Sequence, residues 1–302
     1  MSASFFVEDI HHQGCITVEQ VLEIGEDFSQ YTVREDDEEY NDFLKEKIDH
    51  FECILLGKEN VSARGFELSY DDKTGSYEIR IFTPSTVADY ETAFDYMKKL
   101  CTFLNNDTIT TEDNETYTTD TLSAYNYRQQ IEYALEGIYQ NLKNSGHEYF
   151  EIFGLHRPAA VNQKMVKQLL KSRDAAENFG SFLTGLQYGD AYSARQKIYK
   201  QDDGTALGVY TITETVPTII PFTPCVEYEN AEAVKESDIS QWLIGLVVID
   251  GDPNNPGSYS VYKYMDHKKF VKRLPRKKYT VLDAKYIRIE GLTRQEIESL
   301  AR

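Results

Sequence analysis

Residues 65–106 read GFELSYDDKTGSYEIRIFTPSTVADYETAFDYMKKLCTFLNN, and this stretch decides the fold class. Phe66, Leu68 and Tyr70 alternate with Glu67 and Ser69, while Tyr77, Ile79 and Ile81 alternate with Glu78 and Arg80. A period of two puts one set of side chains on a buried face and the other in water, so both runs read as strands. Between them Asp71-Asp72-Lys73-Thr74-Gly75 reads as a turn, where Gly75 can take the positive φ that a short hairpin loop needs. Thr86 and Asp89 then have capping-box spacing, and Pro84 suits a first-turn position. Val87, Tyr90, Phe94, Met97, Cys101 and Leu104 recur at three- and four-residue steps, which is one face of a helix. The expectation is a hairpin with a helix packed on its apolar face.

Working outward, Ser4–Ile10 and Phe51–Gly57 read as strands, and Thr17 with Gln20 reads as the capped start of a helix. A helix is expected from Leu122 to Asn144, and Asn162 can cap a further helical region. Tyr192–Lys200 and Ala206–Thr215 flank an Asp-Gly turn and read as a second hairpin. Trp242–Asp250, WLIGLVVID, is a continuous apolar run, as for a strand covered on both faces. Ser258–Tyr264 and Tyr279–Glu290 alternate, and Thr293 with Glu296 caps a last helix. Hairpins mixed with helices argue for an α+β fold with antiparallel strands. The chain divides into α+β regions at 1–145 and 146–302, or forms one continuous domain.

The chain carries 50 acidic and 32 basic residues, a formal charge of −18. Such a field repels nucleic acid and anionic membranes at long range. No run approaches the roughly eighteen apolar residues of a membrane span. Cysteines at 15, 53, 101 and 225 are too scattered for a disulfide framework, and no signal peptide is legible. A cytoplasmic protein is expected.

No motif carries chemistry. There is no Gly-x-Ser-x-Gly elbow, phosphate-binding glycine loop or His-Glu-x-x-His, and no cofactor is expected. His11, His12 and Cys15 fall short of a zinc ligand set. Asp250 and Asp252 close the apolar strand, where active-site groups often sit. Arg64 and Arg157 lie beside apolar strands, as buried ion-pair partners or anion contacts. The segment His267–Lys278, HKKFVKRLPRKK, inverts the local charge. It is expected to be neutralised by acidic residues of the same protein, such as Glu35–Glu39 or Glu227–Asp238, and not to bind nucleic acid. Twenty-two tyrosines, many on alternating strands, suit half-wet surfaces. The leading expectation is a non-enzymatic protein that binds a macromolecule, either an unidentified protein partner or itself. The alternative is a hydrolase-type or small-anion-binding enzyme with a site near Asp250, Asp252, Arg64 and Arg157.

The run SARGFELSYDDKTGSYEIRIFTPSTVADYETAFDYMKKL resembles a family of bacterial proteins of about this length known only as a domain of unknown function. The resemblance extends over most of the chain, including DAKYIRIEGL at its end. It implies a cytosolic bacterial protein and supplies no functional residues.

Overall fold

The computed structural model describes residues 2–302. The chain forms two compact units. The first runs to Pro158 and resumes over Asn162–Tyr188; the second comprises Ala159–Val161 and Gly189–Arg302. The fold is α+β.

The first unit contains β1 (Ser2–Glu8), α1 (Val18–Gly25), β2 (Ser29–Gln30), α2 (Tyr40–Phe43), β3 (Ile54–Gly57), β4 (Phe66–Asp71) and β5 (Ser76–Phe82). It continues with α3 (Val87–Leu104), β6 (Ile109–Thr111), β7 (Thr116–Tyr117), α4 (Tyr127–Ser145), β8 (Phe150–Ile152), α5 (Gln163–Leu170) and α6 (Ala175–Gln187). β4 and β5 form the expected hairpin, with Leu68 opposite Ile79 and Phe66 opposite Ile81. The N-terminal strand β1 lies on the far side of β5, with Phe5 opposite Ile79, and the sheet order is β2-β3-β4-β5-β1-β6-β7. Phe5, Phe66, Leu68, Ile79 and Ile81 are wholly buried, as is Met97 of α3. The Thr86 hydroxyl accepts from the Asp89 N–H, and the Asp89 carboxylate accepts in return, so α3 starts at the capping box.

The start of α4 differs from expectation. Leu122–Ala124 is a 3₁₀ turn, and α4 begins only after Asn126, whose side chain caps the Gln129 N–H. A short Asx cap outcompetes one more helical turn there. Conversely, α6 continues through Gly180 and Gly185, because its buried face (Ala176, Phe179, Leu183, Leu186) supplies packing that offsets the weak propensity of glycine.

The second unit contains β9 (Ala159–Val161), β10 (Tyr192–Ser193), β11 (Lys197–Lys200), β12 (Ala206–Thr213), β13 (Thr218–Pro221), β14 (Ile239–Ile249) and β15 (Tyr259–Asp266). Then follow α7 (His267–Arg273), β16 (Tyr279–Val281), β17 (Tyr286–Ile289) and α8 (Arg294–Ala301). Two four-stranded sheets, ordered β11-β12-β14-β15 and β10-β13-β17-β16, share a core that includes Tyr210, Ile212, Ile244, Leu246, Ile287 and Ile297. Most pairings are antiparallel, but β14 runs parallel to β12. The alternating run Tyr279–Glu290 is not one strand. It folds back as the β16–β17 hairpin, with Val281 opposite Ile287. Asp283 makes the corner by accepting from the N–H groups of Lys285 (2.9 Å) and Tyr286 (2.7 Å). Val281-Leu282 and Tyr286-Ile287 break the apolar–polar alternation on either side of the corner, the only local trace of the reversal.

Candidate functional site

β14 lies between β12 and β15, and its side chains alternate across the sheet. Ile244, Leu246 and Val248 enter the core, so Gly245 and Val247 point to the opposite face. On β15, Tyr264 is opposite Gly245 and Val261 is opposite Val247. The Tyr264 ring lies over Gly245, where an added Cβ would come within 3.2 Å of it. Between these pairs one step of β14 is matched by two of β15, so Tyr262 is the extra residue of a bulge.

β15 ends its sheet, leaving one long edge unpaired by any strand among the described residues. Along it Tyr259, Val261, Tyr262 and Tyr264 are exposed by 41%, 48%, 50% and 53%. Exposed strand edges invite pairing, and folded proteins usually blunt them with brevity, lysines or prolines. The other edge of this sheet, β11, has only four residues and carries Lys197 and Lys200. The one lysine of β15, Lys263, donates its ammonium to the Ala301 carbonyl instead of guarding the edge.

Asp250 and Asp252 stand at the loop entering β15. The Asp250 carboxylate accepts from Arg294 Nη1 at 2.8 Å, and Arg294 also binds Glu214 at 3.2 Å. Asp252 Oδ1 accepts from the backbone N–H and the side-chain amide of Asn254, a local loop brace. At the far end of β15, Asp266 caps α7. Of the basic segment, Lys278 pairs with Glu296 at 2.6 Å, and Arg273 and Arg276 donate to the carbonyls of Leu300 and Tyr279. The acidic partner of Lys278 is thus on α8, not in the run Glu227–Asp238. Lys268, Lys269 and Lys272 are exposed and have no ion pair among the described residues. A cavity of about 300 Å³ opens beside Arg273, Lys278 and Glu296, its charges already engaged by these contacts.

Arg64 and Arg157 belong to the first unit, and both are buried. Arg64 donates from Nε to the Phe153 carbonyl (2.6 Å) and from Nη1 to the Pro84 carbonyl, with its guanidinium over the Phe82 ring. Burial pushes its pKa down to about 10, opposed by the nearby Asp89 carboxylate. The Arg157 N–H donates to Gln187 Oε1, and its carbonyl accepts from Gln187 Nε2. The same Gln187 oxygen holds the His156 N–H, so the Gly154–Arg157 loop is clamped to the end of α6. The His156 ring lies edge-on to Tyr31 and Tyr188, with Glu59 accepting from the Tyr31 hydroxyl at 2.8 Å. Sequence spacing gives no hint of this cluster, whose members come from four separate segments.

Cys15 is buried, and burial raises its thiol pKa to about 11, which suits a packed side chain. His11 meets Asn105 at 3.4 Å. Among the described residues no group of three His, Cys, Asp or Glu side chains is placed to hold a metal ion. Among the described residues no helix is long and apolar enough to cross a membrane.

A family model described as "Domain of unknown function (DUF4299)" matches residues 2–300. The chain belongs to this family. Comparison with curated proteins and with solved structures returned no match. The DUF4299 match spans both units, and so includes the β15 edge and the Arg64 region alike.

His267, the residue directly after β15, was not singled out by its sequence. It is wholly buried, edge-on to Tyr210 with 6.0 Å between ring centroids. Neither ring nitrogen makes a hydrogen bond of standard geometry among the described residues. Burial pushes its pKa down to about 4, although the Pro221 carbonyl and Asp266 favour the charged ring, and Lys268 adds to the burial effect. The unfolded chain takes up this proton near pH 6.5, the folded one only near 4. Stability from this group is therefore complete above pH 6.5 and is lost as pH falls toward 4. The loss amounts to roughly 3 kcal/mol. His267→Phe should lose correspondingly less stability than wild type between pH 7 and pH 4, read from urea midpoints. Equal losses in the two proteins would show that the imidazole is not the acid-sensitive group.

Proposed function

We propose that this is a non-enzymatic protein that acts by binding protein, and that its binding element is the open β15 edge of the second unit. The observation that carries the reading is the run of exposed Tyr259, Val261, Tyr262 and Tyr264 on an eight-residue strand with one edge unpaired among the described residues. An added strand gains main-chain hydrogen bonds along such an edge, and the alternating side chains select the partner. Tyrosines suit the task because each offers a large, rigid apolar body with a polar tip. The negative field of the chain supports a protein occupant over nucleic acid. A cytoplasmic setting accords with this reading.

The contacts of the four residues considered for an enzyme favour structural roles for three of them. Arg64 is tied to backbone carbonyls, Asp250 to Arg294 and Asp252 to its own loop. Arg157 is buried in a loop braced through its backbone. Arg64 and Arg157 belong to one unit, Asp250 and Asp252 to the other.

Site-specific photo-crosslinking in the native host tests the binding element. A photoreactive residue at position 262 should give a discrete protein adduct, while the same residue at Tyr199 on β11 should not. Absence of any adduct at 262, or equal labelling at both positions, would overturn the reading.

A further inference from the structure

Resting on the reading of β15 as the binding edge, we propose that its occupant is a second copy of this chain, paired antiparallel about a two-fold axis through the middle of the strand.

Charge along the strand is polarised. At its entry end three carboxylates, Glu214, Asp250 and Asp252, stand against one guanidinium, Arg294. At its exit end Lys268, Lys269 and Lys272 stand against Asp266, and the three ammonium groups are exposed and without ion pairs among the described residues. Antiparallel pairing of two copies brings the acidic end of each to the basic end of the other, so the favourable contact is made twice. Parallel pairing would set like against like at both ends. The overall charge of −18 repels a second copy at a distance. That repulsion is screened beyond about 8 Å at physiological salt, so the contacts at the strand ends decide.

The shape of the strand fits the same arrangement. Eight residues span about 26 Å. The bulge at Tyr262 lies near the middle, so a two-fold axis there sets bulge against bulge and interrupts the new ladder once. On that axis Tyr262 of one copy meets Tyr262 of the other, an aromatic cross-strand pair. Such an interface is isologous: the same patch serves both copies, and the assembly closes at two.

The test is the mass of the purified full-length chain by sedimentation equilibrium, with circular dichroism confirming that every variant is folded. Wild type should be a dimer at tens of micromolar protein at physiological salt and weaken as salt is raised further. Lys268→Glu with Lys269→Glu and Lys272→Glu should weaken the dimer by about tenfold or more, and so should Asp252→Lys with Asn254→Lys. Mixing the two variants should restore a mixed dimer, because every contact then joins opposite charges. A monomer at about 100 µM at physiological salt, or a dimer whose affinity neither set of changes moves, would overturn the proposal. A monomeric protein that still crosslinks through position 262 to a different protein would sink the second-copy proposal and leave the binding element standing.

Discussion

Asp89→Ala is expected to be the most damaging single change in this protein, lowering stability by about 5 kcal/mol. Asp89 is wholly buried. Its carboxylate accepts from the N–H groups of Ala63 (3.0 Å), Arg64 (3.2 Å), Gly65 (2.9 Å) and Thr86 (3.2 Å). The hydroxyls of Ser85 (3.1 Å) and Thr86 (2.8 Å) complete the set. One side chain thus joins the start of α3 to the backbone entering β4. Alanine leaves these buried donors without an acceptor, and each orphaned group costs about 1–3 kcal/mol before relaxation. It also removes the anion nearest the buried Arg64 guanidinium. Asp89→Asn keeps the volume but replaces an acceptor with a donor, and should recover little. Urea denaturation provides the measurement. A midpoint for Asp89→Ala within error of wild type would mean that the carboxylate does not join the two segments.

Phe94→Ala is expected to cost about 3–5 kcal/mol. The Phe94 ring is buried edge-on against Phe5 (5.6 Å), Tyr125 (6.1 Å) and Tyr127 (5.8 Å between centroids). It therefore ties α3 to the sheet and to the chain entering α4. Phe103→Ala on the same helix is the control, since Phe103 is 38% exposed against 6% for Phe94 and should cost clearly less, under about 2 kcal/mol. If the two variants unfolded at the same urea concentration, the apolar face of α3 would be wrongly assigned.

The candidate site was only partly legible in the sequence. Ser258–Tyr264 read as an alternating strand, but nothing in the local pattern says that no strand lies beyond it. Being an edge is a property of the sheet order, which depends on where β12 and β14 settle. The pairing of Lys278 with Glu296 and of Arg294 with Asp250 and Glu214 likewise joins residues far apart in the chain. Arg64 reads in the sequence as a charge beside apolar strands; its bonds to the Phe153 and Pro84 carbonyls come from tertiary packing. Asp89 read only as a capping-box residue; its bonds to the amides of 63–65 come from tertiary packing.

What the amino-acid order determined by itself was local. Alternation in β4 and β5, the three-and-four spacing of α3 and the Thr86–Asp89 cap are set by backbone geometry within a few residues, and they hold as read. The same local rules did not separate the β16–β17 hairpin from one strand, because two small breaks in the alternation, at Val281-Leu282 and Tyr286-Ile287, are all that marks the corner locally, and the pairing is what shows the reversal. Nor could they place β1 between β5 and β6, since that pairing joins residues 2–8 to residues 76–82 and 110–111. Tertiary structure decided these, and with them the burial of His267 and the open edge of β15. Burial and exposure depend on which distant surfaces meet, and a sequence window carries no record of that.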